Sequence, residues 1–168
     1  MAMSQTKVLQ SLHKRQSPLA QTERQLKILE EGIFAEGDAP KFDQKIQQSL
    51  GGPLKTTGLD ILQVNLGYMC NQVCAHCHVD AGPDRKEIMT QETMEHCLKV
   101  IESSGVKTLD LTGGAPEMNP NFRWFVTQAK ARGVREIIVR SNLTIIVANK
   151  KYHDLPEFFA QHQVHVVS

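Results

Sequence analysis

The chain has 168 residues, of which 40% are hydrophobic and 22% charged, an ordinary globular composition that leaves room for one sizeable core. Lysines and arginines number 19 against 18 aspartates and glutamates, with no basic block and no interleaved aromatic run, so nucleic acid is not an expected partner. The opening MAMSQTKVLQSLHKRQ has no apolar stretch of signal-peptide length, and no segment approaches the ~20 apolar residues of a membrane span, so a cytoplasmic protein without a membrane partner is expected.

Residues 1 to about 16 are polar and uncapped, and are expected to be mobile. Pro18 suits a first helical position, Thr22 and Gln25 have capping-box spacing, and Leu26, Leu29, Ile33 and Phe34 form one apolar face before Gly37. Phe42, Ile46 and Leu50 then recur every fourth residue until Gly51, Gly52 and Pro53 stop the helix. Residues 1–57 therefore read as an N-terminal helical leader.

From Ile61 the pattern alternates strand and helix. Strands are predicted at Ile61 to Leu66, Thr108 to Thr112, Ile137 to Arg140 and Val164 to Val167. Between them, Thr90 opens a helix with Met94, Cys97, Leu98 and Ile101 on one face, ending near Gly105. Asn119 and Pro120 read as the cap and first turn of the next helix, with Phe122, Phe125, Val126 and Ala129 inward and Gly133 closing it. Asp154 and Glu157 bracket a short helix through Phe159. Buried, β-branched strands joined by helices imply a parallel α/β sheet with right-handed crossovers. A β/α barrel and an open doubly wound sheet compete; a barrel needs eight units and about 250 residues, so residues 58–168 would be half of one, a partial barrel of about four parallel strands.

Three cysteines, Cys70, Cys74 and Cys77, follow the first strand, and Cys97 stands apart on a helical face, where it reads as a small buried hydrophobe. Clustered cysteines point away from a disulfide framework and towards metal or redox chemistry in a reducing compartment. Iron-sulfur clusters and structural all-cysteine zinc sites normally take four thiolates, so a triplet leaves one position for another ligand. Gly113-Gly114-Ala115-Pro116-Glu117 follows the second strand and Ser141-Asn142 the third. In parallel α/β folds these carboxyl ends share one edge of the sheet, where ligands bind. Taken alone, GGAPE is equally a plain strand-to-helix turn and Ser141-Asn142 a polar strand end. A structural zinc site using His76 or His78 as fourth ligand, and an iron-sulfur electron carrier, remain as alternatives for the triplet.

The Cys70-x-x-x-Cys74-x-x-Cys77 spacing resembles the cluster motif of the radical S-adenosylmethionine (SAM) enzymes, over roughly residues 58–168. That resemblance implies that the three cysteines hold three irons of a 4Fe-4S cluster while SAM chelates the fourth. It also implies reductive cleavage of SAM to methionine and a 5'-deoxyadenosyl radical, no catalytic residue beyond the cluster ligands, and an electron donor such as flavodoxin or ferredoxin. Gly113, Gly114, Ala115, Pro116 and Glu117 look like the glycine-rich segment that meets the methionine end of SAM, although in many members the acidic residue directly follows the two glycines. His76 takes a position that is usually aromatic and near adenine, and Ser141 and Asn142 match polar positions that reach the SAM carboxylate or ribose. The longer stretch LQVNLGYMCNQVCAHCHVDAGPDRKEIM, with TGGAPEMNPNF, is similar to the arsenosugar biosynthesis radical SAM proteins. This narrower likeness implies adenosyl transfer to a small-molecule substrate, a dimethylated trivalent arsenical. Members of that family continue through a second half-barrel and a C-terminal domain, which are expected to be absent here, leaving an apolar edge at Val164 to Val167.

Overall fold

The computed structural model describes residues 10–17, 20–31, 41–75 and 77–168. Two compact units emerge, one formed by residues 16–58 and the other by residues 10–15 together with residues 59–168. The first contains α1 (Thr22–Glu31) and α2 (Phe42–Leu50). The first hydrogen bond of α1 runs from the Gln25 N–H to the Gln21 carbonyl, one residue before the cap that the Thr22–Gln25 spacing suggests. Gly51 ends α2 in the left-handed conformation, its N–H donating to the Gln47 carbonyl, as a C-terminal glycine should. The apolar repeat of α2 is not buried: Phe42 and Leu50 are 68% and 62% exposed. Pro18, Ile33, Phe34 and Gly37 lie outside the described residues.

The second unit is a parallel sheet in the order β1 (Ile61–Asn65), β2 (Thr108–Thr112), β3 (Glu136–Arg140), β4 (Val164–Val167). Register runs Gln63 to Asp110 to Ile138 to His165 across the middle of the sheet. With a period of two, Val64, Leu109, Leu111, Ile137 and Val139 fall on one face and are buried. Against them pack α3 (Gln91–Ser104), α4 (Phe122–Ala131) and α6 (Leu155–Gln161) through Met94, Leu98, Ile101, Phe122, Phe125, Val126, Ala129, Leu155 and Phe159. Fully burying each of the larger side chains stabilises the fold by roughly 1.5–3 kcal/mol. The other face carries Gln63, Arg140 and His165, all exposed. Sheet order that follows chain order, with the buried apolar layer on one face, is barrel geometry; a doubly wound sheet reverses its order and needs helices on both faces. The fold is thus α/β with four parallel strands, consistent with a partial barrel.

Cap signals were accurate around α3, where the Thr90 hydroxyl accepts the Thr93 N–H and Gly105 adopts the left-handed C-cap. Around α4 a 3₁₀ turn occupies Pro116–Met118 and the regular helix starts at Phe122, later than the Asn119–Pro120 pair suggests. Asn119 nevertheless caps the turn that leads into it, its Oδ1 accepting the Asn121 N–H (2.9 Å) and its carbonyl the Phe122 N–H (3.0 Å). Its buried Nδ2 also donates to the carbonyls of Leu66 (3.0 Å) and Met89 (2.9 Å), tying the end of β1 to the chain entering α3. Asp154, by contrast, makes no capping bond and pairs with Arg123 instead. A further short helix, α5 (Thr144–Ala148), lies where no element was expected.

Residues 10–15 are docked rather than mobile. Ser11 is fully buried; its N–H and hydroxyl donate to the Asp84 carboxylate (3.3 and 2.7 Å), and the N–H groups of Leu12 and His13 donate to Asp80. Two carboxylates in the loop after β1 thus satisfy backbone donors from a segment about 70 positions earlier. Among the described residues no helix is long and apolar enough to cross a membrane.

Candidate functional site

The loop between β1 and α3 folds back on itself through main-chain bonds. Tyr68 N–H donates to the Glu87 carbonyl, Gly82 N–H to Tyr68 and Cys70 N–H to Gly82. Arg85 locks this frame. It donates to the Asp80 carbonyl and carboxylate, forks onto Glu87, and lies 4.7 Å over the Tyr68 ring. Its hydrogen bonds, opposed by some desolvation, hold the Glu87 carboxyl down to about 2. Asp80 takes up φ +50°, a conformation that short polar side chains tolerate.

On this frame sit the three cysteines, all free thiols. Cys70 is buried, Cys77 half-buried and Cys74 exposed. The Cys77 sulfur accepts the Ala81 N–H at 3.3 Å, and the Cys70 sulfur accepts the Gln72 N–H at 3.4 Å. Burial pushes the Cys70 thiol up, and the neighbouring Cys74 and Cys77 add to this, while the Gln72 N–H and the Asn142 side-chain amide pull it down. Among the described residues no three His, Cys, Asp or Glu side chains are gathered as a set for one metal ion. Cys97, on α3, is half-buried against the main core rather than fully buried as its helical spacing suggests.

The GGAPE segment meets the cysteine loop at main-chain distance. Gly114 N–H donates to the Gly67 carbonyl and Ala115 N–H to the Met69 carbonyl, both at 2.9 Å. A Cβ on Gly114 would stand 2.4 Å from the Met69 oxygen, and one on Gly113, at φ +139°, would stand 2.6 Å from the Gly67 oxygen. Both glycines are therefore needed for backbone to approach backbone. Ala115 packs with Cys70 and Ala81 in a small cluster of its own. After Pro116, Glu117 turns into the interior at 4% exposure, and neither of its carboxylate oxygens has a hydrogen-bond partner. The Ser141 hydroxyl is near enough to ease it but does not reach hydrogen-bond geometry, so desolvation pushes the carboxyl above its ordinary range. A buried carboxylate without a partner costs several kcal/mol unless it is protonated or something donates to it.

Ser141 and Asn142 complete the edge. The Ser141 hydroxyl accepts the Leu143 N–H at 3.1 Å. Asn142 accepts the Thr144 N–H and hydroxyl on Oδ1 (3.0 and 2.8 Å), opening α5, while its Nδ2 donates to the Cys70 sulfur (3.4 Å) and to Asn71 (3.0 Å). Asn71 closes the ring by donating to the Thr144 hydroxyl at 2.8 Å. The structure therefore brings Cys70, the GGAPE turn, Ser141 and Asn142 together; His76 lies outside the described residues. Asn71 and Thr144 were not anticipated, and only the Asn-x-Thr spacing of an Asx turn hinted at the latter.

The sequence profile of the radical SAM superfamily matches residues 64–165, more than half of the chain. Curated relatives include the probable GTP 3',8-cyclases of Methanothermobacter marburgensis (29% identity over 85 residues, 51% of this chain and 28% of that protein) and Pyrococcus horikoshii (28% over 90 residues, 54% and 29%). That of Sulfolobus acidocaldarius is 24% identical over 84 residues, 50% of this chain and 27% of that protein. The chain thus matches little more than a quarter of the length of these relatives. A four-stranded parallel α/β sheet with its cysteine loop after β1, together with a profile match that spans from within β1 to β4, makes this chain a member of the radical SAM superfamily.

Proposed function

We propose that the chain is the cluster-bearing part of a radical SAM enzyme, with a helical leader at residues 1–57 and a half-barrel at residues 58–168. The superfamily generally binds a 4Fe-4S cluster and SAM, acts on small molecules and takes electrons from a reductant. The observation that carries the reading is the pairing of a three-thiol loop with the unpartnered Glu117 carboxylate at one sheet edge.

The residues fit both groups. Cys70, Cys74 and Cys77 would hold the cluster, and the N–H donors already aimed at two of the sulfurs are those a thiolate ligand requires. A gathered single-ion site is not what the cluster asks of them, because each thiolate then binds its own iron. SAM would bring an amino group whose N–H bonds are donors. Glu117 offers it two unfilled acceptor oxygens, whereas the N–H groups of Gly114 and Ala115 are spent on the cysteine loop. Ser141 and His76 are the remaining contacts proposed for SAM, with Asn142 bordering it, since the Asn142 amide already serves Cys70, Asn71 and Thr144. Bound together and reduced, cluster and SAM supply the 5'-deoxyadenosyl radical. The chain's own part is to fix the sulfurs through the Asp80–Arg85–Glu87 frame, to bury Cys70 away from water and to hold the acceptor that orients SAM.

For the substrate, the extended likeness of residues 62–89 supports arsenosugar biosynthesis, with adenosyl transfer to a dimethylated trivalent arsenical. The cyclase relatives match about half of this chain, so a purine nucleotide is the competing arm of the test. A cytoplasmic setting and an electron donor of the flavodoxin or ferredoxin type complete the proposal. Anaerobic reconstitution with iron and sulfide, followed by dithionite and SAM, should yield 5'-deoxyadenosine, and Cys74→Ala should lose the cluster. Full iron content in Cys74→Ala would sink the ligand assignment. Adding dimethylarsinous acid or GTP in separate reactions then decides the substrate: an adenosylated arsenical supports the narrower reading, and a cyclised nucleotide overturns it.

A further inference from the structure

Among the described residues, every main-chain donor to a cysteine sulfur lies within four positions of it: Gln72 to Cys70 and Ala81 to Cys77. The exception is a side chain 72 residues away. Asn142, at the end of β3, gives its Nδ2 to the Cys70 sulfur at 3.4 Å and to Asn71 Oδ1 at 3.0 Å, while Thr144 pins its Oδ1 from two donors. Because Oδ1 accepts from the Thr144 N–H, the amide cannot flip without setting oxygen against sulfur and carbonyl against carbonyl. The ring of Asn71, Asn142 and Thr144 therefore fixes which end of the amide faces Cys70. That is a more specific arrangement than a polar strand end needs. It also uses the amide that the radical SAM resemblance links to SAM.

We propose that Asn142 is a positioning residue that tunes the reduction potential of the cluster through an N–H to sulfur bond on Cys70, and that Thr144 sets its orientation. This rests on the cluster assignment made above. Hydrogen bonds to ligand sulfurs are among the levers that set iron-sulfur potentials. Reduction adds negative charge that spreads onto the thiolates, so a donor to Cys70 stabilises the reduced form more than the oxidised one. Asn142 thereby raises the midpoint potential and eases reduction by the donor protein. Removing it makes the cluster harder to reduce and, once reduced, a stronger reductant.

The test is a potentiometric titration of the reconstituted full chain, followed by electron paramagnetic resonance of the reduced cluster. Asn142→Ser keeps a side-chain oxygen for the turn that opens α5, adds no charge and cannot reach the sulfur. Its midpoint should fall below that of the parent, with unchanged iron content. Thr144→Val keeps the amide but removes a hydroxyl that orients it, and should shift the midpoint the same way by less. Equal midpoints in parent and Asn142→Ser overturn the proposal. If Asn142→Ser does not retain the cluster, Thr144→Val decides by the same criterion, and loss of the cluster in both makes the ring structural and also overturns it. A parent chain that takes up no cluster refutes the underlying functional assignment instead, which separates the two failures.

Discussion

Placing a methyl group on Gly114 is the most direct way to ask whether the GGAPE turn and the cysteine loop meet as described. The new Cβ would lie 2.4 Å from the Met69 carbonyl oxygen, 2.8 Å from its carbon and 3.0 Å from the Ala81 Cβ. Real Cβ atoms stay beyond 3.0 Å, so one strand of backbone must retreat by about 0.6 Å, and two of the three obstacles are backbone with no rotamer to change. That retreat stretches the adjacent bond from Ala115 N–H to the Met69 oxygen, now 2.9 Å, to the limit of hydrogen bonding. Overpacking of this kind costs about 1–3 kcal/mol, and a weakened buried main-chain bond adds about 1 kcal/mol. Gly114→Ala should therefore lose roughly 2–4 kcal/mol, which at a urea slope of about 2 kcal/mol/M moves the midpoint down by about 1–2 M. The single tryptophan, Trp124 on α4, reports the unfolding of this unit by fluorescence. Gly52→Ala, where a Cβ meets nothing within 4 Å, is the control and should be neutral. A Gly114→Ala chain as stable as the control would refute the close approach and, with it, the shared edge on which the site is built.

Glu117→Gln separates the cost of the site from its use. Because burial raises the Glu117 carboxyl in the folded state, its contribution to stability is intact at acid pH and is lost as pH rises from the ordinary carboxyl range through the raised value. The unloaded variant should match the parent below about pH 4, exceed it increasingly above, and bind SAM more weakly in calorimetry; equal stability at every pH would contradict the burial of Glu117. Asp110 has the opposite sign. Burial alone would raise its carboxyl, but hydrogen bonds from Arg140 and Gln63 outweigh it, so the stability it confers holds above about pH 4 and is lost as pH falls through the lowered range. Asp110→Asn should flatten that acid limb in pH-dependent denaturation, and an unchanged limb would refute the pairing. Asn119→Ala removes both donors to the Leu66 and Met89 carbonyls and should cost about 2–4 kcal/mol, read as a lower urea midpoint.

The parts of the fold that were legible are those set by local pattern. Thr90 and Gly105 bound α3 because a cap hydroxyl and a left-handed glycine act within a few residues. Strand β2 was read to the residue because Leu109 and Leu111 alternate with polar neighbours. Helix α5 was missed because Thr144, Ile145, Ile146 and Val147 are β-branched and favour a strand; its start depends on Asn142, which reads equally as a turn. Residues 10–15 carry no apolar periodicity, and their docking depends on carboxylates far along the chain. The same division runs through the site. Cysteine spacing is local and could be read, whereas the burial of Glu117 and the ring of Asn71, Asn142 and Thr144 are products of tertiary structure.

The agreement between sheet order and chain order also carries a schedule. As the chain is synthesised, each new strand finds its neighbour already made, so β2 can join β1, β3 can join β2 and β4 can join β3 without waiting for anything downstream. Ser11, Leu12 and His13 have no such luck. They are made before the sheet, and their acceptors Asp84 and Asp80 follow 67–73 residues later. These residues thus complete their bonds only once the loop that carries the cysteines has been made, which ties an early segment of the chain to the loop that follows β1.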